Sequence, residues 1–317
     1  MTDPEVAGRA APLLIAHTPH TPSPRLRRAG ITALAYFHLT KPRVIELLLV
    51  TTVPAMILAA GELPSLVLIV EVLLGGAFAA GGANTINCWI ERDRDQVMKR
   101  TAGRPLPMGL VSPRRALVFG LVLEAGAFGF LWGTVNLLSA VLAVSAMLFY
   151  VFVYTIWLKP RTPQNIVIGG AAGAVPVLVG WASVTGTVGA PAWVLFAIVF
   201  LWTPPHFWAL SLRYLDDYAA AEIPMLPVAR GTAVAVRQIL VYSVVVVAAS
   251  MTLPIVGDAG ALYVGVAAIL GVLLVAQAAR LARGYSPERA IRLFTFSNTY
   301  LALLFAAVAI DTLVRAA

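Results

Sequence analysis

Residues 64–107 read PSLVLIVEVLLGGAFAAGGANTINCWIERDRDQVMKRTAGRPLP, and this stretch decides the fold. Its first part is almost wholly apolar and exceeds the roughly 20 residues that a helix needs to cross a bilayer. Its second part places seven charged side chains within ten residues, from Glu91 to Arg100. An apolar run that ends in a dense block of both charges predicts a transmembrane helix that leads into a polar loop at the membrane surface.

The composition of the whole chain agrees with a membrane protein. Of its 317 residues, 60% are hydrophobic and only 12% are charged, and the mean hydropathy is +0.85. Soluble domains usually carry about 25% charged residues. We therefore predict an all-α integral membrane protein, because helices satisfy their own backbone hydrogen bonds within lipid. The one cysteine, Cys88, excludes an internal disulfide and a cysteine-based metal cage.

The apolar runs divide the chain into about nine transmembrane helices. We predict spans at 40–60, 64–90, 116–135, 137–158, 166–185, 192–210, 238–256, 260–279 and 293–314. Residues 1–36 are rich in Pro, Ala, Thr and Arg without an apolar period, and they predict a disordered cytoplasmic tail. The membrane domain is then expected to occupy residues 37–317.

The basic residues predict how the chain is oriented. Six Lys and Arg residues lie at or before Arg43, and the loops after spans two, four, six and eight hold seven, two, three and four. Arg315 completes the 23, and the other loops hold none. Because basic residues accumulate in cytoplasmic loops, we predict a cytoplasmic N-terminus and an external C-terminus. The net charge of +8 follows the loops and does not indicate nucleic-acid binding. The expected location is the cell (inner) membrane, or the mitochondrial inner membrane in a eukaryote.

The first long loop, at about 91–115, carries a candidate metal site. Asn87, Glu91 and Asp95 are spaced i, i+4, i+8, so they share one face if span two continues as a helix past Ile90. One amide and two carboxylates offer the oxygen ligands that Mg²⁺ prefers. The alternative is a solvated segment laced with salt bridges. Basic side chains follow that are suited to phosphate oxygens: Lys99, Arg100 and Arg104.

The second long loop, at about 211–237, offers a second acidic group. Asp216 and Asp217 are adjacent, so only one of them can lie on a given helix face. Arg213 stands four residues before Asp217 and is either its ordinary ion-pair partner or a phosphate ligand beside a metal-binding carboxylate. Since both acidic loops are predicted on the same side of the membrane, they point to a shared polar site.

Other polar residues within or beside the spans are also candidates. His206 follows two prolines inside span six, where freed carbonyls tend to border a cavity; the alternative role is a hydrogen bond between helices. Three acids within spans are expected to face the bundle interior or lie near its ends: Glu46, Glu71 and Glu124. Four basic residues on the cytoplasmic side either bind anions or only fix the topology: Lys41, Arg43, Lys159 and Arg161.

Several segments together resemble a known family. Residues 87–107 resemble the first aspartate-rich motif of UbiA-type intramembrane prenyltransferases, with an Asn, an acid four residues on and an Asp eight residues on. The segments LTKPRVIELLLVTTVPA (39–55), YTIWLKPRTPQNIVIGGAAGAVPVLVGWAS (154–183), WTPPHFWALSLRYLDDY (202–218) and IPMLPV (223–228) resemble the haem O synthase branch, the protohaem IX farnesyltransferases. The resemblance covers about residues 40–231, and the last three spans match in hydropathy alone.

The resemblance implies a fold and a reaction. Nine helices would surround a central cavity capped by the two acidic loops. Farnesyl would pass from farnesyl diphosphate to a vinyl group of protohaem IX (haem B), with Mg²⁺ as cofactor and haem A synthase as a further partner. The implied catalytic residues are Asn87, Glu91, Asp95 and Asp217, with Asp216 as a further metal ligand. The implied diphosphate-binding residues are Lys99, Arg100, Arg104 and Arg213, and His206 would lie near the haem.

Two departures and two alternatives accompany this interpretation. Glu91 stands where many relatives have Asp, a change that keeps the carboxylate. Glu222 stands where the branch usually has Gly, so the sequence leaves open the geometry of this turn and whether Glu222 adds a carboxylate to the site. A prenyltransferase for another acceptor, such as a quinone or chlorophyll precursor, would share the metal site. A secondary transporter would instead place its charges near the bilayer midplane.

Overall fold

The computed structural model describes residues 24–317, with side chains from Gly30 onward except at 43–44 and 46–49. Every regular element in this range is helical. In chain order these are α1 (Pro24–Leu39), α2 (Pro42–Ala60), α3 (Leu66–Val97), α4 (Pro113–Thr134), α5 (Leu137–Leu148) continued by a π-helical segment (Phe149–Leu158), α6 (Asn165–Thr185), α7 (Ala190–Arg213), α8 (Leu215–Ala220), α9 (Leu226–Arg230), α10 (Thr232–Ser250), α11 (Leu253–Val256), α12 (Ala261–Arg283) and α13 (Pro287–Ala316).

The predicted spans correspond closely to these helices. Within the described residues, eight helical stretches are long and apolar enough to cross a membrane, and they coincide with predicted spans two to nine. Span one falls in α2, whose described apolar part, Val50–Ala60, is shorter. The multi-pass membrane fold is therefore confirmed, whereas the count of nine and the cytoplasmic N-terminus stay predictions.

The core of the bundle lies around α7. This helix packs against α6, α10 and α13, and α2 packs against α6 and α13. Side chains of α7 such as Leu195, Ile198 and Trp208 are fully buried there. Close approach of α6 to α2 depends on Gly180, because a Cβ at this position would lie 2.6 Å from the carbonyl oxygen of Thr52.

Helix α1 corrects one prediction. Residues 24–36 were expected to belong to a disordered tail, and the structure places them in a helix. Its buried side chains Ala35 and Leu39 pack with Cys88 of α3, while Tyr36 meets Phe119 edge to face at 4.9 Å. Ala35 and Leu39 lie one helix turn apart and face α3 together. The average composition of residues 1–36 hides this spacing, so the prediction missed the helix. Residues 1–23 lie outside the described part of the chain.

The unassigned acids have different surroundings. Glu124 of α4 is buried and faces α3, where a Cβ on Gly82 would come within 2.9 Å of its Oε1 atom. Glu71 is half-buried near the start of α3. The side chain of Glu46 lies outside the described residues. Asp311 of α13 accepts hydrogen bonds from the backbone N–H of Gly260, at 2.6 Å, and caps the start of α12.

Candidate active site

A column of three polar side chains lies on one face of α3. The helix continues past Ile90 to Val97, as the prediction required, so Asn87, Glu91 and Asp95 stand one above another. They are only 1%, 4% and 3% exposed. A buried carboxylate is costly unless it is paired, so this column is not the solvated segment that was the alternative interpretation.

Each carboxylate in the column is paired with a cation from elsewhere in the chain. Lys159, which follows the π-helical segment, forms an ion pair with Glu91. Arg104 donates from Nη1 to both carboxylate oxygens of Asp95, at 2.9 and 2.7 Å. Burial alone would lower the pKa of Lys159, but the Glu91 carboxylate outweighs it and raises that pKa. Burial alone would likewise lower the pKa of Arg104, but the Asp95 carboxylate outweighs it and raises that pKa.

The amide at the top of the column is held from two sides. Lys41 donates from Nζ to Oδ1 of Asn87 at 2.7 Å, and Nδ2 of Asn87 donates to Oγ1 of Thr155 at 3.0 Å. Burial lowers the pKa of the Lys41 ammonium. Lys41 precedes α2 with φ 54, a left-handed conformation that is uncommon for lysine. Sequence reasoning missed Thr155, although its position four residues before Lys159 was a usable signal.

The second acidic loop reaches the first through Arg100. Helix α7 ends at Arg213, Tyr214 breaks the helix, and α8 carries Asp217. The backbone N–H of Arg100 donates to Oδ2 of Asp217 at 3.2 Å. The Arg100 guanidinium lies over the rings of Tyr214 and Tyr218, 5.4 and 5.9 Å from their centroids. The two loops therefore meet at one end of the bundle, next to the column.

Other predicted site residues lie farther out. Lys99, Arg213 and Asp216 are exposed. The helix break at Tyr214 takes Arg213 out of helical register with Asp217, and none of the ion pairs found among residues 30–317 joins them. Glu222 is also exposed and adds no carboxylate to the site. Its φ of 53 explains why glycine suits this position, since glycine adopts positive φ without steric cost.

The remaining basic candidates differ in what they contact. Arg161 donates from Nη1 to the carbonyls of Ile156 and Trp157, so it caps the π-helical segment and does not reach the column. The side chain of Arg43 lies outside the described residues. In the described part of the chain, no three His, Cys, Asp or Glu side chains converge on one point as a ready-made metal cage. The two column carboxylates and the amide instead place their oxygen atoms along one face of α3.

His206 is enclosed by aromatic rings in the bundle. Helix α7 continues without a break through the prolines at 204–205. The imidazole stacks between Trp202 and Phe294, with centroids 4.2 and 4.5 Å away, and its Nδ1 lies 2.8 Å from Oγ of Ser297. The Ser297 hydroxyl donates to the Phe294 carbonyl at 2.7 Å. Which of Nδ1 and Oγ donates in this contact depends on the tautomer of the imidazole.

Comparisons with known proteins agree on one family. A family model described as the UbiA prenyltransferase family matches residues 48–305. A relative from Mycobacterium avium (strain 104), named protoheme IX farnesyltransferase, is 53% identical over 310 residues, covering 97% of each chain.

Solved structures share the fold at low sequence identity. A digeranylgeranylglyceryl phosphate synthase has a TM-score of 0.73 and 18% identity, covering 89% of this chain and 98% of its own. A UbiA homologue from Archaeoglobus fulgidus, bound to GPP and Mg²⁺, has a TM-score of 0.58 and 17% identity, covering 87% and 99%. At this identity the likeness is one of fold.

Proposed function

This chain belongs to the UbiA prenyltransferase family, and from that premise we propose that it transfers the farnesyl group of farnesyl diphosphate to a vinyl group of protohaem IX. The products are haem O and diphosphate. The name and 53% identity of the Mycobacterium avium relative support this acceptor. The observation that carries the proposal is the buried column of Asn87, Glu91 and Asp95, which a solvated loop has no need to build.

The column and its neighbours form the diphosphate end of the site. Asn87, Glu91 and Asp95 supply only oxygen donors, which fits Mg²⁺, an ion commonly held by one or two carboxylates together with substrate phosphates. Asp217 adds a carboxylate from the second loop, and the fold relative from Archaeoglobus fulgidus was solved with GPP and Mg²⁺. Bound there, Mg²⁺ would stabilise the negative charge that grows on the diphosphate as the C–O bond breaks.

The cations beside the column have a second role when diphosphate is present. Lys41, Lys159 and Arg104 now hold the three oxygen groups of the column. A diphosphate placed against the column brings further negative oxygens within their reach, and ammonium and guanidinium groups bind such oxygens strongly. Arg100, beside Asp217, adds a further positive charge at the diphosphate end of the site. The exposed Lys99 and Arg213 attract the substrate from solution, and Asp216 has the weakest claim to a metal.

The apolar bundle provides the conditions for the transfer itself. The C1–O bond of the farnesyl group breaks with its electron pair leaving on diphosphate, and the allylic cation must be kept from water. The π electrons of the haem vinyl group then form the new C–C bond. Water adds to the resulting carbocation and loses a proton to solvent, which gives the hydroxyethylfarnesyl side chain. No protein base is needed for bond formation.

His206 is our candidate for contact with the haem acceptor. The contacts from His206 through Ser297 to the Phe294 carbonyl hold the imidazole in place. In the tautomer that carries its proton on Nδ1, the other nitrogen, Nε2, can serve as an iron ligand or hydrogen-bond acceptor. A haem A synthase that consumes haem O stays a predicted partner, and the cell membrane stays the predicted location.

The adjacent aspartates of the second loop allow a matched test. Membranes from cells that overexpress the chain are extracted, and their haems are identified by mass, beside Asp95→Asn, Asp217→Asn and Asp216→Asn variants at equal protein level. We expect new haem O with the wild type and with Asp216→Asn, and its loss with Asp95→Asn and Asp217→Asn. Unchanged haem B in every sample, with both substrates in supply, would refute the haem acceptor, and quinone precursors would be tested next.

A further inference from the structure

A cavity of about 550 Å³ lies between the ends of α10 and α12, apart from the column. Arg237 and Arg283 line it from the two helices, with Tyr285 from the loop that follows α12. The rest of the lining is mostly apolar and includes Val236 and Leu240. A cavity that is basic at its rim and apolar below is matched to an amphiphile with an anionic head.

The two arginines are available for such a head group. Neither the Arg237 nor the Arg283 guanidinium has a hydrogen bond or ion pair to another residue in the part of the chain whose side chains are described. Arg289, only a few residues away, is committed differently, because its Nη1 donates to the Gly284 carbonyl at 2.6 Å. Two uncompensated guanidinium groups at one cavity raise the local concentration of anions.

The cavity also continues into a surface that faces lipid. Arg237, Val241 and Val244 are spaced i, i+4, i+7, so they form one stripe along α10. Both valines are exposed, at 44% and 48%. This stripe begins at the cavity and runs down the membrane-spanning part of α10, where acyl chains lie. The loop on the basic side of the membrane is where anionic lipids are commonly held between helices.

We propose that this cavity binds the phosphate head group of an anionic phospholipid from the surrounding bilayer, with Arg237 and Arg283 on the phosphate and the acyl chains along α10. The site connects to the proposed active site through Tyr285, whose hydroxyl donates to the Leu212 carbonyl at 3.3 Å. Leu212 lies at the end of α7, just before the loop that carries Asp217. An occupied lipid site therefore steadies the loop that completes the polar site. This proposal does not rest on the identity of the acceptor.

Native mass spectrometry of the full chain in neutral detergent tests the proposal. Phosphatidylglycerol and phosphatidylcholine of the same acyl chains are titrated against wild type and the Arg237→Ala/Arg283→Ala variant. The charge-matched control is Arg114→Ala/Arg115→Ala, at exposed positions at the start of α4 on the same basic side. We expect about fivefold weaker phosphatidylglycerol binding for each cavity arginine removed, hence about 25-fold for the pair. The control variant should bind as the wild type does.

A lysine variant and a second ligand complete the test. Arg237→Lys/Arg283→Lys keeps both charges and should retain most of the phosphatidylglycerol binding, which guards against misfolding of the alanine variant. Binding of phosphatidylcholine to the wild type as tight as that of phosphatidylglycerol would overturn the proposal. So would a loss of phosphatidylglycerol binding in the control variant as large as that in the alanine variant. Binding of inorganic phosphate as tight as that of phosphatidylglycerol would assign the cavity to a free anion instead and would also overturn it.

Discussion

Removal of the Glu91 side chain is the sharpest test of the buried column. Glu91 and Lys159 are paired with only 5% and 14% of their side chains exposed. In the wild type, Lys41, Lys159 and Arg104 face two carboxylates, so Glu91→Ala leaves three cations against Asp95 alone. Breaking one partner of a buried ion pair costs about 3–5 kcal/mol, because the other charge stays buried. We expect Glu91→Ala to lower the free energy of unfolding by that amount.

A second substitution separates stability from activity. Replacing both partners, as in Glu91→Gln/Lys159→Met, removes the uncompensated charge, and such replacements are often neutral or stabilising. This variant should unfold within about 1 kcal/mol of the wild type and still form no haem O, because the diphosphate end has lost a carboxylate and an ammonium. Asp93→Ala is the matched control, since the Asp93 side chain is 78% exposed and exposed charges contribute about 0–1 kcal/mol.

The measurement is unfolding of the purified variants by added SDS in mixed micelles, followed by circular dichroism, with haem O formation assayed on the same samples. A loss below about 1 kcal/mol for Glu91→Ala would contradict the burial argument, because it would match an exposed pair. A double variant as unstable as Glu91→Ala would also contradict it, since the instability would then not come from the unpaired cation.

Three further changes have expected effects on thermal unfolding in a single detergent. Glu222→Gly should raise the free energy of unfolding by about 1 kcal/mol, because glycine adopts the left-handed conformation of this position without the steric cost that glutamate has there. Glu222→Ala should give no such gain, and an equal gain from both would reject strain as the cause. Gly180→Ala should cost about 1–3 kcal/mol because the new methyl group meets the α2 backbone, and Gly126→Ala, with open space around it, is its control. Asp311→Ala should cost about 1.5–3 kcal/mol through its lost bond to Gly260, yet keep haem O formation per folded molecule; lost turnover would place Asp311 in the catalytic machinery.

The sequence predicted the membrane fold well because its signals are local. Apolar runs of sufficient length identify spans without knowledge of their neighbours, and spans two to nine match the structure. The same holds for the column, since the i, i+4, i+8 spacing of Asn87, Glu91 and Asp95 needs only a continuous helix. It could not predict the partners of those residues. Lys41 and Lys159 approach from separate segments, and their pairings depend on how the helices pack.

Local backbone geometry accounts for the other differences. The pairing of Arg213 with Asp217 was one of two predicted alternatives because the i, i+4 rule assumes an unbroken helix, and Tyr214 breaks that helix. The prolines at 204–205 predicted freed carbonyls beside a cavity, whereas α7 continues as a helix through both. Helix α1 was missed because the average composition of residues 1–36 hides the apolar residues of its second half, and only contact with α3 reveals the role of Ala35 and Leu39.

The π-helical segment sets the direction in which Lys159 leaves the helix. The Lys159 N–H bonds to the Tyr154 carbonyl five residues back, at 2.8 Å. Each turn therefore contains more residues than an α-helical turn. If the ten residues Phe149–Leu158 wound as ordinary α-helix, each would advance the chain by about 100°, which is more than a residue of the wider π-helical turn does. The ammonium of Lys159 would then point away from Glu91, although no site residue had been changed. The winding of this segment is thus as much a part of the catalytic design as residue identity.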